Sequence, residues 1–293
     1  MPDANIRSTV EHLLSANNPG PFRWRPVGHG VGGALWRVQS RDAAWCVKAG
    51  ADDPQMLIAE ADGLKALAEC GAVRVPNVFA AEEQDGQACL LMEWLDFEMK
   101  TERAAAKLGE RLAQQHRCLG KQFGWRRNNF IGATPQFNTL SEDWVTFFGK
   151  HRLGFQLRLA AENGYRGELQ ENGARLQEKL SAFFSGYSLQ PSLLHGDLWS
   201  GNWGALPNGE PVIFDPAVYY GDREADLAMT ELFGGFPAAF YSAYNSAWPF
   251  DPGYRVRRDL YNLYHVLNHL NLFGEGYRTQ AEGLMAQLLA ETS

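Results

Sequence analysis

Up to Glu98 the apolar residues fall mostly into short alternating blocks; beyond it they recur at helical spacing, so a mixed first part precedes a helical second part. The opening stretch MPDANIRSTVEHLL predicts a short amphipathic helix. Residues 25–48 predict two strands around a turn rich in glycine, RPVGHGVGGALWRVQS followed by AAWCVKAG. Asp53 and Pro54 supply an N-cap and a first-turn proline, and Leu57, Ala61, Leu64 and Ala68 then keep helical register until Gly71 stops the helix. Further strands are expected over 73–79 and 88–91, joined by the polar turn EEQDGQ. Helices follow over 102–119, 141–162 and 174–184 and from Tyr254 onward, with apolar sets such as Trp144, Phe148, Phe155 and Leu159.

One block breaks the helical pattern: PSLLHGDLWSGNWGALPNGEPVIFDP, in which the apolar runs SLL and PVIFD flank a turn at Pro207, Asn208 and Gly209 and predict a hairpin. It carries Asp197, four intervening residues, Asn202, then a strand ending in Asp215. Phosphoryl transfer needs a group to orient and deprotonate the attacking hydroxyl, and ligands to hold magnesium against the phosphates. Asp197 suits the first task; Asn202 and Asp215 offer the hard oxygen donors that magnesium takes. Each residue taken alone is also an ordinary turn residue, and it is the ordered set that points to chemistry.

A second set lies upstream: Gly28, Gly30, Gly32 and Gly33, then Lys48 at a strand end, then Glu60 on the following helix. Glycines let backbone amides approach phosphate, a lysine neutralises its charge, and a helix glutamate can hold that lysine. The glycine cluster alone serves equally as a tight turn, and no G-x-x-x-x-G-K-[ST] loop is present. Met92, Glu93 and Trp94 are expected to link two lobes, with backbone groups for an adenine edge. In GDREADLA, Asp226 is expected to brace the catalytic loop around His195, and Asp222 and Glu224 to face substrate or a solvated turn.

Composition narrows the partners. The net charge of -7 and pI near 5.5 argue against a nucleic-acid surface. No segment approaches the ~20 apolar residues of a membrane helix, and no leader-like start is present, so a cytoplasmic protein is expected. Cys46, Cys70, Cys89 and Cys118 show no paired spacing and are expected as reduced thiols. His116 and the pair His265 and His269 are expected to pack rather than bind metal, because the H-E-x-x-H glutamate is missing. At 293 residues, one catalytic unit of two lobes is expected, as a monomer or a dimer.

The blocks LLHGDLWSGN and FDPAVYYGDREADLAM resemble the signatures of the fructosamine/ketosamine-3-kinases, within the aminoglycoside/choline phosphotransferase and protein-kinase-like superfamily. FGWRRNNFIGATPQFN and SEDWVTFFGKHRLGFQLRLA extend the resemblance over residues 28–236. It implies an α+β, bilobal kinase-like fold, with a small mixed N-lobe over 1–93 and a larger, mostly helical C-lobe over 94–293. It further implies ATP as donor, Asp197 as proton acceptor, Asn202 and Asp215 as magnesium ligands, Lys48 and Glu60 as the phosphate-positioning pair, and residues 92–94 as the adenine linker. Pro216 follows Asp215 where protein kinases have Phe-Gly, so no protein-kinase activation loop is expected. The implied reaction phosphorylates the 3-hydroxyl of a ketosamine, whose unstable 3-phosphate releases the amine. Trp199 is expected either to stack on the sugar or to pack the loop. A kinase for another small hydroxylated amine, such as an aminoglycoside or choline, and a silent nucleotide-binding module are the alternatives.

Overall fold

In the computed structural model, which describes residues 3–292 apart from 17, 19 and 31, the first part of the chain forms a five-stranded antiparallel sheet of order β1-β2-β3-β5-β4. Its strands are β1 (Arg23–Gly30), β2 (Gly33–Gln39), β3 (Ala44–Ala49), β4 (Val78–Gln84) and β5 (Gln87–Glu93). Residues 25–48 thus hold three strands rather than two, since a second turn closes where Ser40 N–H donates to the Ala43 carbonyl at 2.9 Å.

Strand parity sets what each face of this sheet does. Trp45, Val47 and Ala49 of β3 and Cys89 and Leu91 of β5 share the face that buries Ile6, Val10 and Leu14 of α1 (Ala4–Ser15). These three recur every fourth residue, the stripe an amphipathic helix buries. The opposite parity puts Cys46, Lys48, Leu90 and Met92 on the other face, where Leu90 and Met92 join Leu57, Ala61 and Leu64 of α2 (Gln55–Cys70) in the main core. Gly71 ends α2 in the left-handed region at φ 69°.

The second part is mostly helical. The helix α3 (Glu102–Gln115) starts on Thr101, whose hydroxyl accepts from Ala104 N–H at 3.2 Å. Next comes a short hairpin, β6 (Asn129–Ile131) and β7 (Thr134–Gln136). The helix expected over 141–162 is split into α4 (Trp144–Phe148), a π turn over Gly149–Leu153, and α5 (Gly154–Glu162). In that turn the buried Arg152 donates to the Phe137 carbonyl at 2.7 Å and to Asn138 at 2.6 Å. After α6 (Glu168–Glu178) come β8 (Ser192–Leu194), β9 (Trp203–Ala205), β10 (Pro211–Ile213) and β11 (Tyr219–Gly221). Here β9 pairs with β10 and β8 with β11, so SLL and PVI do not form the expected hairpin with each other. The chain closes with α7 (Glu224–Leu232), α8 (Ala238–Ala247), α9 (Tyr254–Phe273) and α10 (Arg278–Glu291).

One expectation about the cysteines is overturned. Cys70, the last residue of α2, is joined by a disulfide to Cys118 beyond α3, with Cα atoms 6.2 Å apart, while Cys46 and Cys89 are free thiols. The two are 48 residues apart, and only the docking of α2 on the helical lobe brings them together. Among the described residues no helix is long and apolar enough to cross a membrane.

Candidate active site

The candidate catalytic loop leaves β8 at Leu194 and is caught at once by α7. Both oxygens of Asp226 accept backbone N–H groups, from His195 at 2.7 Å and from Gly196 at 2.8 Å. Burial opposes charge on Asp226, but the bond from His116 and the Gly196 amide hold its carboxyl below the usual range. The buried His116 lies 3.2 Å from Asp226 and 2.8 Å from the Tyr244 hydroxyl. Gly196 has φ +83°, and a Cβ there would stand 2.1 Å from the Ala217 carbonyl oxygen, so only glycine fits. The His195 ring lies 3.0 Å from the Phe214 carbonyl through Nε2 and 3.3 Å from Asp197 N–H through Nδ1, an arrangement suited to the Nε2-protonated tautomer.

These contacts present Asp197, Asn202 and Asp215 to one cavity of about 440 Å3. Asn202 Nδ2 donates to the Asp197 carbonyl at 2.8 Å and to its carboxylate at 3.2 Å, which directs the amide oxygen away from Asp197. Burial and the Asp215 charge push the Asp197 carboxyl up to about 7, while the Asn202 bond draws it partly back. Asp215 itself adopts φ 59°, an uncommon backbone for a residue other than glycine and one found where a site is over-determined by its surroundings.

From the sheet, Lys48 reaches the same cavity, with Nζ 2.6 Å from Glu60 and 2.5 Å from Asp215. Burial works against its charge, but the two carboxylates outweigh that cost and hold the ammonium above its ordinary range. The glycines divide by cause. Gly33 has φ +94° and no room for a Cβ against the Ala49 carbonyl, so the fold itself requires it. Gly28 and Gly30 face open space, and with Gly32 they line the cavity.

Other predicted positions fall elsewhere. Met92 is in the core, Glu93 is paired with Arg74 at 2.6 Å, and the Trp94 ring nitrogen donates to Asp96 at 2.7 Å; none of the three lines the cavity. Asp222 and Glu224 do not face substrate. Asp222 is buried and accepts from the Tyr187 hydroxyl at 2.9 Å and from Tyr261, while Glu224 is buried against Arg257 at 2.7 Å. Both were expected to face substrate or a solvated turn because their run reads as polar; α9 packs over it instead. Trp199 lines the cavity, stays 37% exposed, and also covers Gly201, so lining and packing coexist in one ring. His265 is buried, and His269 donates through Nδ1 to the His265 carbonyl at 2.8 Å.

The lining residues that went unnoticed in the sequence include Asn129, Phe130 and Gly132 of the β6–β7 hairpin. Three-residue strands are too short for their alternation to stand out, and only the stretch FGWRRNNFIGATPQFN drew notice, without a role.

A sequence profile of the fructosamine kinase family matches residues 10–291. The chain belongs to the fructosamine kinase family. Its relatives include a Synechocystis protein named a probable ketoamine kinase, 44% identical over 286 residues that cover 96% of each chain. The chloroplastic protein-ribulosamine 3-kinase of Arabidopsis thaliana is 44% identical over 239 residues, covering 80% of this chain and 73% of that one. A crystal structure from Thermobifida fusca that carries the name fructosamine-3-kinase superposes with a TM-score of 0.84 at 32% identity, over 96% of this chain and 99% of that one. The family fold is the expected bilobal, protein-kinase-like α+β architecture.

Proposed function

We propose that this protein is an ATP-dependent kinase that transfers the γ-phosphoryl group to the 3-hydroxyl of a ketosamine, with deglycation of amines as the outcome. The observation that carries the reading is the convergence of Asp197, Asn202, Asp215 and Lys48 on one cavity in a chain of this family. Asp197 takes the proton of the attacking hydroxyl, and a carboxyl raised toward neutrality suits a base working near pH 7. Lys48, held by Glu60, binds the phosphates, and the amides around Gly30, Gly32 and Gly33 approach them. Asn202 and Asp215 are the pair that would hold magnesium: an amide oxygen and a carboxylate are hard donors, few enough to leave places for water and phosphate. Bound there, the ion supplies positive charge against the phosphates. Residues 1–93 then carry the phosphate-binding turn, Lys48 and Glu60, residues 94–293 carry the catalytic loop, the magnesium ligands and the acceptor site, backbone groups of 92–94 meet the adenine, and the protein works in the cytoplasm. The ribulosamine named in the plant relative makes five-carbon adducts the first to test.

The test is ATP consumption by the purified protein with magnesium against erythrulose-, ribulose- and fructose-lysine adducts, beside choline and an aminoglycoside, with Asp197→Ala as control. Turnover on ketosamines that the variant loses is expected. Turnover confined to choline or the aminoglycoside, or none on any acceptor, would overturn the reading.

A further inference from the structure

We infer that Phe130 is a specificity-determining residue whose ring closes the inner end of the acceptor pocket and so limits the length of the sugar chain. The inference rests on the ketosamine reading above.

Parity in the β6–β7 hairpin gives Phe130 its direction. Asn129, Ile131, Thr134 and Gln136 are buried on one face, while Phe130 and its cross-strand partner Pro135 share the other. Phe130 is half-buried and lines the cavity that also holds Asp197 and Trp199. Among the described residues its ring stacks on no other aromatic ring and joins neither apolar cluster. A phenylalanine buries a large apolar area when it is used for packing. Here that area is turned to the cavity instead, which is what a wall against a ligand requires.

The wall is also stiff. Gln136 Nε2 donates to Asn129 Oδ1 at 2.9 Å and to the Ala217 carbonyl at 3.1 Å, and Asn129 Nδ2 donates to the Val218 carbonyl at 2.8 Å. Asn138 adds a bond to Asn129 Oδ1 at 2.8 Å. All are buried, so moving the hairpin would strand polar groups away from water. The hairpin that carries Phe130 is thereby tied to the segment directly after Asp215 and does not shift as a body for a longer substrate.

Substrate chemistry orients the rest. The 3-hydroxyl must meet Asp197. The amine at C1 is joined to a lysine side chain or a larger body and must leave through the open side, where Trp199 is 37% exposed. The chain from C4 onward then runs toward Phe130, which lines the same cavity and is less exposed than Trp199. Four- and five-carbon adducts end short of the ring; a sixth carbon with its hydroxyl has to press on it.

The experiment compares kcat/KM for ribulose-lysine and fructose-lysine in the wild type, Phe130→Ala and Phe130→Leu, with KM for ATP and Tm measured alongside. Since one methylene in a pocket changes selectivity by about 10–200-fold, Phe130→Ala should raise the fructosyl-to-ribulosyl ratio by about tenfold or more. Phe130→Leu should lie between, with KM for ATP within about twofold in both, because the phosphates are assigned to Lys48 and the glycine turn rather than to Phe130. An unchanged or lower ratio in a folded variant that binds ATP normally overturns the inference and leaves the ketosamine reading standing. A wild type inactive on every ketosamine overturns both. If Phe130→Ala does not fold, the Leu variant decides.

Discussion

Lys48 and Asp215 are 167 residues apart in sequence and meet at 2.5 Å, joining the sheet to the loop that follows the β9–β10 hairpin. Glu60 holds the same ammonium at 2.6 Å. The lysine is thus positioned and charged by two carboxylates, and a phosphate bound there would meet an ammonium that is already ordered.

Lys48→Met should raise KM for ATP by about 10–100-fold, the worth of a charge-assisted hydrogen bond of about 1.5–3 kcal/mol. Glu60→Gln should do less, because Asp215 still holds the ammonium. Steady-state kinetics in ATP checks both, and an unaltered KM and kcat in Lys48→Met would remove the lysine from phosphate binding.

Asp197→Ala should lower kcat by roughly 10²–10⁴-fold, or about 3–5 kcal/mol of barrier, as expected for loss of a positioned base. Its carboxyl is pushed up to about 7 from 3.8, and the base works ionised, so kcat/KM for the acceptor should rise with pH and level off above about 7. Stability runs the other way. A carboxyl that holds its proton more tightly when folded favours the folded chain at low pH, and stability is lost as pH rises from 3.8 to about 7. Asp197→Asn should abolish that loss in thermal melts across the window; a melt profile identical to the wild type would contradict it.

Glu224→Ala should destabilise the protein by about 1.5–3 kcal/mol, because it removes the charge-assisted bonds from the buried Arg257 and leaves Asp251 as that guanidinium's carboxylate partner. Acceptor KM in the folded fraction should not move. Denaturant unfolding together with kinetics checks the pair, and a raised acceptor KM at full stability would return Glu224 to the substrate site.

Cys118→Ser, or a thiol reductant, should lower stability by about 2–4 kcal/mol through loss of the Cys70–Cys118 link across 48 residues. Calorimetry with and without reductant reads the effect. Equal Tm in the wild type and variant under oxidising conditions would show that the bond contributes nothing.

The candidate catalytic set was legible in the chain because its parts are local or ordered. Asp197 and Asn202 are bound to one turn by a hydrogen bond at 2.8 Å, and alternation along β3 alone puts Lys48 opposite Val47 and Trp45. Helical spacing located α1 and α2 for the same reason: each buries one stripe, and a stripe is written in the period of the sequence. Asp222 and Glu224 were misread because burial of a charge depends on partners that only packing supplies, here Tyr187, Tyr261 and Arg257 from distant segments. The Cys70–Cys118 bond and the direction of Phe130 likewise follow from how α2 and the β6–β7 hairpin dock on the helical lobe. Periodicity and turn chemistry are properties of neighbouring residues, so the sequence determined the elements and the ordered site. Which polar groups lose water, and which side chains meet across the core, is decided by contacts between residues far apart in the chain, and that was left to the tertiary structure.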